Sequence, residues 1–269
     1  MCAENAGLRE VRTAVRLGMV FINLDEDGAG FDAFAGNALE SLEPIMGAAQ
    51  ELEVFHIHRS TLRANWKQWQ ETQMETYHEY LHYLNRHVSF RADNYFDRLW
   101  KVYPGGHGTL EPLRHKYEEI KGWDERSKNT LPGLGPNEAR LVDLFPDTSV
   151  HCRATVGRID TTIPVAPGVT IVERRGLGIK GESTQDRARR VLDHNQFWGP
   201  FGRNHPEDCL AVEWVEDANH DGAARFGLIA RHEDLKAQYD EMMRAYYDAW
   251  GSYMGRAASD LQPTAQAAE

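Results

Sequence analysis

Residues 149–180, SVHCRATVGRIDTTIPVAPGVTIVERRGLGIK, decide the fold class. Ser149 to Ile163 and Val169 to Lys180 are dense in Val, Ile and Thr, which suit a pleated surface, and a Pro/Gly turn from Pro164 to Gly168 separates them. They read as antiparallel strands. Toward the C-terminus, Ser183-Thr184-Gln185-Asp186 is a capping-box start for a helix running toward Phe197. The turn Gly199-Pro200-Phe201-Gly202 follows, and a second helix opens on Pro206-Glu207-Asp208, where proline is favoured in the first turn. Leu235, Tyr239, Met242, Tyr246, Trp250 and Met254 step by three or four residues along a long C-terminal helix whose stripe packs on the sheet. Toward the N-terminus, Arg16 to Leu24 and Leu52 to His58 read as strands, and Phe31 to Met46 as an amphipathic helix after a turn at Asp27 to Gly30. Lys67 to Leu84 reads as one long helix: Trp69, Met74, Tyr77, Tyr80, Leu81 and Leu84 recur at helical steps, with no Gly or Pro between them. Asp93 to Pro146 reads as a long connection holding short strand-like runs such as Leu99 to Tyr103. Strands flanked by helices, without regular β-α alternation, predict an α+β fold with an antiparallel sheet.

Composition bounds the function. The chain has 269 residues, 41% of them apolar and 26% charged, which is an ordinary globular balance and excludes a disordered polymer. One domain over residues 1–256 is expected, with residues 257–269 a disordered tail. No apolar run approaches the ~18 to 20 residues of a membrane helix, and no basic head precedes an apolar stretch at the N-terminus, so the reading is no membrane span, no signal peptide and a cytoplasmic location. A net charge of −11 without a dense basic cluster argues against nucleic-acid binding, which depends on neutralising phosphates. Three cysteines, Cys2, Cys152 and Cys209, are too few and too scattered for a disulfide framework or a four-cysteine metal site. A metal would be held by His and carboxylate.

The segment ETYHEYLH, residues 75–82, carries the chemistry. On the predicted helix, Glu75, His78 and His82 share one face, and the i, i+4 step brings two imidazoles within reach of one ion. His78 to His82 also matches HExxH, in which Glu79 would be the general base of a zinc peptidase. The longer metzincin pattern fails, because Asn85 and Val88 stand where it needs Gly and His. Other candidates are weaker. Gly105-Gly106-His107-Gly108 lacks the strand-to-helix context of a phosphate cradle and reads as a turn. His56 and His58 read as strand residues satisfied by neighbours, His151-Cys152 has no partner pair at ligand spacing, and His205 reads as a helix-start or surface residue near Asp208.

Asn65-Trp66-Lys67, then Glu71, Glu75, Tyr77-His78 and His82, resembles the segment that opens the catalytic domain of the Rieske non-heme iron oxygenases, the large (alpha) subunits of aromatic-ring-hydroxylating enzymes. The GPxG turn at Gly199 to Gly202, followed by the acidic pair Glu207-Asp208, is similar to the family's second motif, and the strand GMVFINL at residues 18–24 and the helix ending RAYYDAW at residues 244–250 extend the likeness. The resemblance implies a helix-grip-like catalytic domain with a 2-His-1-carboxylate Fe(II) site at His78, His82 and Asp208. It implies O2-dependent mono- or dioxygenation of a small aromatic substrate, with a mere ligand-binding module as the reading from another class. Glu75 stands where the family has an Asp that hydrogen-bonds the His ligand and bridges to the cluster of a neighbouring subunit, and Thr72 replaces an Asn. The CxH and CxxH pairs that would hold a Rieske [2Fe-2S] cluster do not occur in the sequence. The expected partners are therefore a Rieske or ferredoxin module and a reductase, in a homotrimer or an alpha-beta hetero-oligomer, with the cluster removed by truncation or carried on another polypeptide.

Overall fold

Seven strands form one antiparallel sheet in the order β3-β9-β8-β7-β6-β5-β4: β3 is Leu52–Leu62, β4 Leu99–Tyr103, β5 His107–Arg114, β6 Glu138–Leu144, β7 Thr148–Arg153, β8 Val156–Ala166 and β9 Val169–Ile179. A separate hairpin pairs β1 (Arg12–Arg16) with β2 (Met19–Asn23). The structure is a computed structural model that describes residues 7–8, 10–47, 51–75, 77–80, 82–87, 98–122, 124, 126, 129–222, 229 and 240–255. The helices are α1 (Phe31–Ala35), α2 (Glu43–Met46), α3 (Trp66–Met74), α4 (Tyr83–His87), α5 (Thr184–Trp198), α6 (His205–His220) and α7 (Glu241–Tyr253). The expected tail at residues 257–269, and the helical positions Leu235 and Tyr239, lie outside the described residues. Among the described residues no helix is long and apolar enough to cross a membrane.

The α+β expectation holds, and several element boundaries need correction. Ser149 to Ile163 is two strands, not one: the chain reverses at Ala154-Thr155, where Ala154 takes a φ of 32° with no Gly or Pro to announce it. The expected connection from Asp93 to Pro146 contributes β4, β5 and β6 to the sheet. Phe31 to Met46 breaks into α1, a 3-10 turn at Glu40–Leu42 and α2, because Gly36 leaves α1 with a φ of 50° and Pro44 restarts the chain in the first turn of α2. The predicted start of α5 is present: the Ser183 hydroxyl accepts the Asp186 backbone N–H at 3.1 Å.

Alternation along the strands gives the sheet two different faces. One buries Val142, Leu144, Val150, Cys152, Ile159 and Leu177 against Leu42, Ile45 and Met46 of the N-terminal turns. The other carries α3, α5, α6 and α7. Its apolar parts are Leu110, Leu141 and Trp100 under Met242 and Tyr246 of α7, and Val172 under Trp69 of α3 and Val212 of α6. Trp69 is fully buried, and removing a core Trp costs about 3–5 kcal/mol. The rest of this face is polar and paired. Arg174 holds Asp160 through two bonds of 2.7 and 2.6 Å, and Asp193 of α5 accepts from Arg126 at 2.8 Å and Arg153 at 2.9 Å. A wall of this kind fixes where α5 sits, since displacing the helix would strand buried charges.

Candidate metal centre

The centre grows from the place where α3 stops. Asn65 caps α3, its side chain accepting the Lys67 backbone N–H at 3.1 Å, and Trp69 anchors the helix on β9 and α6. The predicted Lys67 to Leu84 helix ends at Met74. Glu75 turns extended, with φ −94° and ψ 147°, and its carboxylate caps the next turn: Oε2 accepts the His78 backbone N–H at 3.1 Å and Oε1 meets His78 Nδ1. The chain then makes a 3-10 turn at Tyr77–Tyr80, and His82 lies just before α4. The two imidazoles therefore do not share one α-helical face. A carboxylate competing for backbone donors breaks the helix that side-chain periodicity alone predicts.

The first turn of α6 faces this segment. Pro206 occupies its start, and Glu207 and Asp208 carry their charge at the helix N-terminus, where the dipole favours it. Asp208 Oδ1 lies 3.2 Å from His82 Nε2 and 3.5 Å from His78 Nε2. One ligand atom from each of the three residues falls within 4.8 Å of the others. Each remaining ring nitrogen has its own carboxylate: Glu75 on His78 Nδ1, and Glu207 Oε2 on His82 Nδ1 at 2.8 Å. Glu207 also accepts the Leu84 backbone N–H at 3.3 Å, which fixes its reach.

This arrangement calls for a positive charge at its middle. With each Nδ1–H donated to a carboxylate, both Nε2 lone pairs and Asp208 converge as acceptors, and only a proton or a cation reconciles them. The electrostatics of the surrounding groups agree. Burial pulls His78 down, yet Glu75 and Asp208 outweigh it and hold the ring up at about 9. His82 is raised in the same way, against burial, by Asp208 and Glu207. Burial favours the neutral form of Asp208, but His82, His78 and Arg158 hold it below the usual carboxylate range. Two imidazoles and one carboxylate, with their outer nitrogens oriented, fit an octahedral ferrous ion that keeps open positions.

Glu79 does not fit the peptidase pattern. Its two oxygens take Arg98 Nη1 at 2.9 Å and Nη2 at 3.1 Å, and burial of the carboxyl is outweighed by Arg98, which keeps it ionised and engaged. Glu71 is hydrogen-bonded by the Tyr247 hydroxyl, and the Thr72 hydroxyl turns back to the Trp69 carbonyl at 2.7 Å. A cleft of 820 Å³ between the β1–β2 hairpin and the β6–β7 turn is lined by Phe21, Phe31, Phe34 and Phe145 and by none of the three converging residues.

The family model for the ring hydroxylating alpha subunit (catalytic domain) matches residues 48–249. The chain belongs to this family. Within it, 43% identity over 260 residues relates the chain to the 2-aminobenzenesulfonate 2,3-dioxygenase subunit alpha of an Alcaligenes species, covering 96% of the chain and 66% of that protein. The methanesulfonate monooxygenase hydroxylase subunit alpha of Methylosulfonomonas methylovora is 34% identical over 259 residues, covering 96% and 62%. The chain thus spans just under two thirds of the length of these curated relatives. Among solved structures, a Rhodococcus naphthalene 1,2-dioxygenase bound to indole superposes with a TM-score of 0.72 at 14% identity, covering 90% of the chain and 66% of that protein. The quaternary ammonium Rieske monooxygenase CntA gives 0.70 at 16%, covering 94% and 64%. At these identities they show the shared fold.

For a ring-hydroxylating alpha subunit, two neighbours of the centre escaped sequence reasoning. Glu207 was only the first acid of a pair, and its hold on His82 spans 125 residues of chain. Arg98 follows a stretch with no motif, and its bonds to Glu79 in the fold reveal it. The adjacency of Glu207 to Asp208 was the one available signal.

Proposed function

We propose that His78, His82 and Asp208 hold one ferrous ion and that this domain performs O2-dependent hydroxylation of a small organic substrate. When bound, the ion supplies open positions for O2 chemistry, driven by electrons that no cofactor motif of this sequence can store. The observation that carries the reading is the pairing behind the ligands: Glu75 and Glu207 each take one Nδ1, which leaves both Nε2 atoms facing Asp208. Those carboxylates fix ring orientation and raise the basicity of the ligand nitrogens. A zinc-peptidase reading would need Glu79 free as a base, and Arg98 occupies it.

Glu75 is the electron entry. Its side chain is 9% exposed, touches His78, and sits at the family's bridging position, so electrons arrive from a Rieske module of a neighbouring subunit in a homotrimer or an alpha-beta assembly, with a reductase behind it. The substrate is an aromatic sulfonate. The two relatives above differ in carbon skeleton and share the sulfonate in their names. Arg158 on β8 stands beside the centre: it lies against the Trp198 ring at 4.8 Å, donates to Gln73 at 2.7 Å and helps hold the Asp208 carboxyl down.

Anaerobic reconstitution tests the centre. The wild type should take up Fe(II) that Asp208→Ala fails to retain, while Glu75→Gln should keep the iron and slow its re-reduction by an added Rieske protein. Equal ferrous retention by Asp208→Ala would refute the ligand set. With the electron donors supplied, 2-aminobenzenesulfonate should be hydroxylated and aniline, which lacks the sulfonate, should not; equal turnover of both would remove the sulfonate assignment.

A further inference from the structure

Three histidines meet a second time, in a cluster that shares no residue with His78, His82 and Asp208. His56 and His58 sit two apart on β3, the edge strand of the sheet, so both side chains face the helices. His194 descends onto them from α5. The ring centroids of His56 lie 5.3 Å from His58 and 5.4 Å from His194, and one ring nitrogen from each residue lies within 4.8 Å of the other two. Two nitrogens bonded at ~2.1 Å to one tetrahedral ion are about 3.4 Å apart, so small side-chain rotations close the set. Glycine makes the approach possible: Gly176 of β9 is the register partner of His56, and a Cβ there would stand 2.9 Å from His194 Cε1.

The sequence alone predicts that His56 and His58 are satisfied by neighbours, and the structure corrects this. His194 is fully buried and neither of its nitrogens has a hydrogen-bond partner; both nitrogens of His58 and Nε2 of His56 are likewise buried without one. Buried polar groups without partners are rare enough to demand an explanation. The surroundings supply these nitrogens with no hydrogen-bond network. Phe55 and Trp198 stand at 5.3 and 5.8 Å from His194 and offer no acceptor to these nitrogens. Arg174, a nearby positive charge, donates to Asp160 through two bonds and to the Trp198 carbonyl at 2.9 Å.

We propose that His56, His58 and His194 form a second metal site, for a divalent ion of borderline softness such as Zn2+, which clips the edge strand β3 to α5. Three imidazoles with no carboxylate suit zinc and leave a fourth position for water. The site is independent of the Asp208 centre.

Zinc binding by the full chain tests it. After dialysis against buffered Zn2+, metal analysis of the wild type should give two equivalents and of His56→Gln one. His56 is partly exposed, so this variant keeps its fold, and His58→Gln should give the same loss from a second position. Fe(II) uptake after anaerobic reconstitution should be unchanged in both variants. A wild-type zinc content that neither variant lowers by one equivalent would overturn the proposal.

Discussion

The His78/His82/Asp208 centre and the His56/His58/His194 triangle use the same ring under the same layer of helices, and they differ in what stands behind it. In the first, Glu75 and Glu207 back each imidazole and Asp208 faces both, so His78 is held up at about 9. In the second, burial together with Arg174 and the neighbouring His56 holds His58 down at about 4, and burial with Arg174 holds His194 at about 2. A carboxylate-backed centre attracts cations even before metal arrives. A carboxylate-free one presents neutral nitrogens and selects by ligand type. The difference lies in the outer partners, not in the histidines.

The strongest way to break this contrast is to remove the facing carboxylate. Asp208→Ala should abolish stoichiometric iron retention while leaving the circular-dichroism spectrum and cooperative unfolding intact; iron retained without that carboxylate would mean that the imidazoles alone suffice. A subtler change targets the backing group. Glu207→Gln keeps the size and removes the charge behind His82, and chelator competition should report metal affinity about 10–100-fold weaker, the usual cost of losing such a partner.

Packing distinguishes the two places as well. Gly176→Ala would drive a Cβ against the rigid rings of His194 and Phe55, at 2.9 and 3.1 Å, and overpacking of this kind costs about 1–3 kcal/mol, readable as a lower urea midpoint. Iron content should not change, since His194 is not part of the first centre.

The smallest effect expected is on acid stability, and it extends the comparison to His115. Burial, with Arg98 and Arg153 acting against Glu79, depresses this ring to about 3 from an ordinary value of 6.5. Between those values the unfolded chain binds the extra proton. The contribution of His115 is therefore complete above pH 6.5 and is lost as pH falls toward 3. Replacing it by Gln should flatten the decline of the urea midpoint between pH 6.5 and 4.5, with little change at pH 8.

Much of the chemistry was legible in the sequence because residue type and order along the chain carry it. Through the family resemblance, ETYHEYLH and the acidic pair after GPFG pointed to residues that the fold brings together, and alternation and capping located β9 and the start of α5. What failed was geometry that depends on competition between local and remote partners. The 75–82 segment has helical periodicity, but the Glu75 carboxylate captures the His78 N–H and Nδ1 and ends the helix at Met74. The β7–β8 reversal at Ala154-Thr155 carries no Gly or Pro, because the sheet on either side enforces it.

By itself, then, the sequence determined the α+β class and the antiparallel pairing of β8 with β9, because hydrophobic period and turn chemistry are local properties, while its resemblance to the family pointed to His78, His82 and Asp208 as a set able to share an ion. Tertiary structure alone decided that Glu207 backs His82, that Arg98 occupies Glu79, and that His194 joins His56 and His58. Each of those relations links groups that are distant in sequence or set by packing against the sheet. A carboxylate 125 residues away leaves no periodic trace, and only folding brings its charge within 2.8 Å of the ring it orients.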